Sequence, residues 1–165
     1  MGRAWLVRAG QHGENEMLAL DAGLVVVGWP ELRDLGPVST RDDLRALVHR
    51  AYPDAPLGRV ASYVRQLWAF RHTIATGDLV ALPMKTTREV AIGRITGEYQ
   101  YFRDLPRTAR HLRTVEWLTT DVPREAIRQD LRYTLGAGMT VCEVTRNRGA
   151  ERLAVLAASG TDPGA

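Results

Sequence analysis

Leu24-Val25-Val26-Val27-Gly28-Trp29-Pro30 is an apolar run of strand length that ends in a tryptophan and is stopped by a proline. Residues apolar at odd and even positions alike predict a strand buried on both faces and central in its sheet. Such a strand delivers Trp29 into a loop, and a large ring at a strand end can wall a pocket for a flat ligand. Tryptophan is also a common core residue, because it holds a fold by the area it buries. Both readings of Trp29 stand at this point.

Working outward, Trp5-Leu6-Val7-Arg8 predicts a first strand, and Ala9-Gly10-Gln11-His12-Gly13-Glu14-Asn15 a polar loop able to present backbone N–H groups. Thr40, with Asp43 three residues on, predicts a helix start, and Leu44, Leu47 and Val48 share one face of a helix running to about Ala51. Val60, Val64, Leu67, Trp68 and Ile74 recur at helical spacing and predict a second amphipathic helix over 59–74, with Trp68 in the core. Leu79–Pro83 and Val90–Ile95 predict a β-hairpin in which Gly93 allows close backbone approach. After a polar, arginine-rich loop over 103–113, Thr114–Leu118 predicts another strand, Asp121 a cap for a short helix through Ile127, and Thr140–Val144 the last strand. The alanine-rich stretch and Gly160-Thr161-Asp162-Pro163-Gly164 predict a tail or linker over 149–165, leaving 1–148 as the folded domain. Five to six short strands around two helices point to a small α+β barrel.

Composition sets bounds on this reading. A chain of 165 residues with 45% hydrophobic content fits one domain with a real core. The formal net charge is +3 and, of 22 basic residues, only Lys85 is lysine. Arginine's planar fork suits phosphates, guanine edges and stacking, although a genome rich in G and C would produce the same bias. A lone cysteine, Cys142, excludes a disulfide framework and a cysteine-rich zinc site and points to a cytoplasmic location. No run approaches the ~20 apolar residues of a membrane span, so no membrane partner is expected.

The motifs argue against catalysis. His12, His49, His72 and His111 show no paired metal-ligand spacing, and no GxSxG turn surrounds a serine. A metal-dependent nuclease needs carboxylates and usually a lysine, and Lys85 follows Pro83 and Met84 with no such set. The expectation is a binding domain with no catalytic residue, metal or cofactor. Arg8, Arg94, Arg103, Arg107, Arg110, His111 and Arg113 flank the loops that carry Trp29, Tyr99 and Tyr101. Stacking a base contributes ~1–3 kcal/mol and extruding one from a duplex costs a few, so two or three rings with phosphate contacts can balance the extrusion.

The order Trp5-Leu6-Val7-Arg8-Ala9-Gly10, Val27-Gly28-Trp29, Gly77-Asp78-Leu79-Val80, Ile92-Gly93-Arg94-Ile95 and Arg113-Thr114-Val115-Glu116-Trp117 resembles the N-terminal domain of Mrr-type restriction endonucleases. That domain is in turn similar to the EVE and YTH modified-base readers of the PUA superfamily. The resemblance implies an α+β, PUA-like (EVE/YTH-like) β-barrel with flanking helices. It further implies a reader of double-stranded DNA carrying 5-methylcytosine or methylated adenine, flipped into an aromatic cage, with cleavage left to a C-terminal nuclease domain of a longer parent protein. Trp29 matches the cage tryptophan after the second strand of YTH-like readers. The second ring falls to Tyr99 or Tyr101, with Trp5 also counted in the cage. The loop Arg8, Ala9, Gly10, Gln11 and Asn15 would contact the base edge. Lys85, Arg94, Arg103, Arg107, Arg110 and Arg113 would hold phosphates. Pro30 and Gly10-Gln11 depart from the YTH pattern, which leaves the choice of modified base open. The alternatives are an RNA-binding or partner-binding PUA-like module without modification selectivity, and a PUA-like hydrolase using Lys85 or a tyrosine.

Overall fold

The computed structural model describes residues 2–165. Its centre is a seven-stranded sheet in which β1 (Ala4–Val7) runs parallel to β3 (Leu79–Pro83) and antiparallel to β7 (Val141–Glu143). The predicted hairpin is β3 with β4 (Glu89–Ile95), and β4 pairs in turn with β6 (His111–Pro123). β2 (Leu24–Val27) and the two-residue β5 (Gln100–Tyr101) both pair with the first residues of β6. β1 and β2 stand far apart in the hydrogen-bonded order β2-β6-β4-β3-β1-β7, yet they approach within 8 Å between Cα atoms, so the sheet curls back on itself. Gly93 sits at a register shift between β4 and β6. A Cβ there would lie 2.9 Å from Glu116 O and from the Trp117 ring.

Strand alternation divides the interior into two layers. In β1, Trp5 and Val7 enter a core shared with α2 (Arg41–Ala51) and α3 (Leu57–Trp68), while Ala4 and Leu6 enter a second core with α4 (Gln129–Leu135) and α5 (Gly149–Ser159). α2 starts where the sequence places it, with the Thr40 hydroxyl accepting from Asp43 N–H at 3.1 Å. α1 (Glu16–Ala22) packs its Ala19 beside Ala9, Leu82, Met84 and Ala91. Among the described residues no helix is long and apolar enough to cross a membrane.

Several expectations need correction. β2 lies at an end of the hydrogen-bonded order, not in the middle. It is buried on both faces because Val25 and Val27 join the first core while Val26 packs against Ala109 and Leu112. Asp121 caps no helix; it lies inside the long β6, which continues to Pro123 because β4 pairs with it from Val115 to Pro123. The arginine-rich stretch is not all loop, since 107–109 form a 3-10 turn and 111–113 belong to β6. The second helix changes at Ala69 into a five-residue π-helical turn, which buries Phe70.

Residues 149–165 pack onto the fold rather than trailing from it. α5 buries Leu153 and Leu156 in the second core, and Arg152 ties the segment down. Its guanidinium donates to both Asp162 oxygens at 2.7 and 2.8 Å and to both Asp130 oxygens at 2.8 and 2.9 Å. Asp162 also accepts from Arg128 and Gly164 N–H groups, so its charge is fully met in the interior.

Candidate functional site

Trp29 leaves β2 in the left-handed region, with φ +54°. That conformation is unusual for a bulky residue, and a residue before proline is normally held in extended backbone. The surrounding structure maintains it. Trp29 C=O accepts from Leu32 N–H at 3.0 Å, and Arg107 reaches the same loop at Pro30 C=O (3.4 Å) and Glu31 (3.0 Å). The indole is half-buried and stands edge-on to Tyr63, with ring centroids 5.6 Å apart, and Tyr63 is edge-on to Tyr52 at 5.5 Å. Tyr52 and Tyr63 come from the end of α2 and the middle of α3, and they line a cleft of about 300 Å3 with Pro53 and Arg59. The Tyr52 hydroxyl is buried without a well-formed hydrogen bond, the Glu31 backbone lying near it.

Beneath the loop runs a buried polar relay. The Tyr99 hydroxyl accepts from Leu35 N–H at 3.0 Å and lies 2.7 Å from His111 Nδ1. Burial pushes the His111 pKa down to about 4, against the opposing pull of nearby Leu32 and Trp29 backbone groups and Asp34. A neutral imidazole then accepts a hydrogen bond at Nδ1 from the Tyr99 hydroxyl, with the tautomer inferred from these partners. Burial also pushes the Tyr99 hydroxyl well above its ordinary range. The relay fixes residues 29–35 from below and gives the strained Trp29 a rigid base.

The rings assigned to a cage are thus separated in role. Trp29 is half-buried, packed against the edge of the first core. Tyr101 is half-buried, with its ring centroid 5.0 Å from His111. Tyr99 is 9% exposed and serves the relay. Trp5 is 3% exposed in the first core, its Nε1–H bound to Asp78 at 3.0 Å, which leaves it no face for a ligand.

The loop after β1 is similarly divided. Arg8 turns away toward α4, where Nη2 donates to Leu135 and Ala137 C=O at 3.0 and 2.9 Å. Ala9 is core. Gly10 turns the backbone at φ +97°, where a Cβ would strike the Glu14 carboxylate. Gln11 is exposed and its C=O accepts from Lys85 Nζ at 2.6 Å, so Lys85 is partly engaged within the protein. Asn15 reaches the Trp29 side of the molecule, donating to Thr108 O and Oγ1 at 3.0 and 3.2 Å. Thr108 O lies 4.0 Å from where a Cβ on Gly28 would be.

Of the proposed phosphate ligands, Arg113 is 2% exposed and cannot meet a phosphate. Its guanidinium donates to Phe70, Ile74 and Gly97 C=O at 3.1, 2.6 and 2.9 Å, satisfying acceptors around the π-helical turn. Arg110 is half-buried and bonds Leu105 C=O at 3.0 Å. Arg94 is exposed and donates to Gly77 C=O, and Arg107 is exposed and paired with Glu31. Arg103 lines a cleft of about 440 Å3 with Arg33, Arg50, Asp34 and Asp43, whose carboxylates offset its charge. Sequence reasoning missed Tyr52 and Tyr63, which α2 and α3 bring to Trp29 and which helical spacing alone does not aim at a loop. Among the described residues no group of three or more His, Cys, Asp or Glu side chains is arranged to hold a metal ion.

No curated protein matches the sequence. Among solved structures, the fold is similar to a crystal structure of the MmI1 YTH domain, with a TM-score of 0.46 and 10% sequence identity over 94% of each chain. Residues 5–143 match the family described as "Domain of unknown function (DUF8426)", and with most of its length inside that match the chain belongs to this family.

Proposed function

We propose that the protein is a nucleic-acid-binding domain that reads a modified base in duplex DNA, with Trp29 as the stacking ring. The observation that carries this reading is a half-exposed tryptophan held at φ +54° before a proline by a buried Tyr99–His111 relay. Strain of this kind, of order 1–3 kcal/mol, persists where the surrounding structure over-determines it, and it concentrates at ligand sites. Tyr63 stands edge-on to the indole, and Arg107, on the same loop, is an exposed cation that a phosphate could draw from Glu31. The Tyr99 hydroxyl and His111 imidazole are buried beneath the loop, out of reach of a ligand, so the reading is of a binder. Cleavage would belong to another domain of a cytoplasmic restriction protein, as the Mrr-like motif order implies.

The test is titration of the domain against one duplex bearing in turn no modification, 5-methylcytosine, 5-hydroxymethylcytosine or methylated adenine, at two salt concentrations. A several-fold preference for one modified duplex that survives the higher salt supports the reading. Equal binding to all four that fades with salt reduces the rim to a phosphate-binding surface. Tighter binding to folded RNA than to any duplex would favour the RNA-binding alternative.

A further inference from the structure

A second cleft lies away from Trp29, where the end of β3 and the start of β4 meet the 3-10 turn after β6 and the helix α4. Its volume is about 410 Å3, and its wall includes Arg8, Arg124, Arg132, Gln129 and Tyr133 over an apolar floor of Val90, Ile127 and Leu135. Three arginines face this space and no carboxylate does. Among the described residues four arginines pair with acids: Arg3 with Glu143, Arg107 with Glu31, Arg148 with Glu151, and Arg152 with Asp130 and Asp162. Among the described residues Arg124 and Arg132 enter no ion pair.

Arg8 is the anchor of the cleft. The backbone carbonyl oxygens of Leu135 and Ala137 hold its Nη2, which fixes the plane of a half-buried guanidinium. Burial, together with the nearby Arg124 charge, disfavours its protonated form, so the cleft holds like charges close at some cost. An anion removes that cost, and a phosphoryl group matches the arginine fork. A phosphate alone fills only a small part of this volume, which is within the size range of small-molecule sites. Tyr133, 74% exposed at the rim, supplies a flat face beside the charges.

We propose that this cleft binds the phosphate of a nucleotide, with Arg8, Arg124 and Arg132 on the phosphoryl oxygens and Tyr133 stacked on the base. The phosphate belongs either to a free nucleotide or to a nucleic-acid strand. The site is independent of the reading of Trp29, which is not in its wall.

The test is calorimetric titration with inorganic phosphate, a nucleoside 5′-monophosphate, and a short single strand with and without a 5′-phosphate. Wild type, Arg124→Gln, Arg132→Gln, Tyr133→Ala and Trp29→Ala are compared, with melting curves to confirm folding. Arg124, Arg132 and Tyr133 are exposed, so these variants keep the fold. Each arginine variant is expected to weaken phosphate and nucleotide binding about tenfold, the loss of one charge-assisted contact. The nucleotide is expected to bind at least fivefold more tightly than phosphate, about what one stacked ring contributes, and Tyr133→Ala to abolish that difference. Arginine-dependent binding of the strand without the mononucleotide identifies a strand as the source, and the reverse identifies a free nucleotide. Binding insensitive to Arg124 and Arg132, no binding of any probe, or loss of nucleotide binding in Trp29→Ala overturns the assignment.

Discussion

The layer built by α4 and α5 and the rim around Trp29 treat costly groups in opposite ways. In the first, Arg152 and Asp162 have side chains 1% and 0% exposed, and each is matched by charged or backbone partners. In the second, a tryptophan is held in a left-handed conformation, a tyrosine hydroxyl goes without a good partner, and the nearest ion pair, Arg107 with Glu31, lies in solvent. A group whose needs are met inside the protein stabilises the fold. A strained, half-buried ring at the edge of the first core has part of its surface left open, and under the proposed reading that surface meets a base.

The largest test of this contrast is Arg152→Ala. It leaves Asp162 buried without its cation, and the expected loss is about 3–5 kcal/mol in urea denaturation. A loss below ~1 kcal/mol would remove the distinction between the two regions.

Acid is the next test. His111 is 1% exposed, with its pKa lowered from 6.5 to about 4, so between these values the unfolded protein binds the proton that the folded protein refuses. Stability therefore falls as pH drops from 6.5 to 4, by an amount on the order of 3 kcal/mol. Arg152 and further hydrogen bonds hold the Asp162 carboxyl below its ordinary 3.8, which adds a loss of stability as pH falls below that value. Denaturation of His111→Gln is expected to show a flatter profile from 6.5 to 4 and an unchanged acid limb. An unchanged slope would contradict a buried neutral imidazole.

Tyr99→Phe removes the acceptor of Leu35 N–H and the donor to His111, for an expected cost of about 1–3 kcal/mol. Tyr101→Phe should cost less than ~0.5 kcal/mol, because the Tyr101 hydroxyl has no role in the relay. Equal losses would show that the relay does not hold residues 29–35.

How much of this was legible in the sequence depended on separation along it. The Thr40 cap, the β3–β4 hairpin and Gly93 are local or near-local patterns, and they appear where the spacing places them. Trp29 was legible as a ring at a strand end; its backbone strain was not, because it depends on residues 99, 107 and 111. Arg113 looked like its exposed neighbours in an arginine-rich stretch. Only the π-helical turn, whose carbonyl groups lie 39 and 43 residues away, explains why it is interior. α5 was masked by its alanines, although Leu153 and Leu156 at i, i+3 spacing carried a helical signal. The cleft of Arg8, Arg124 and Arg132 joins residues more than a hundred positions apart, and no pattern in the sequence connects them.

The most direct test of the central claim compares Trp29→Ala with wild type in two measurements on the same protein, urea denaturation and titration with the preferred modified duplex. Truncating a strained, half-exposed ring is expected to change stability by no more than ~1 kcal/mol. Losing one stacked base is expected to lower affinity for the modified duplex about tenfold or more and to remove the preference over the unmodified one. A variant that loses several kcal/mol of stability, or that keeps both affinity and preference, would show Trp29 to be a core residue and contradict the account.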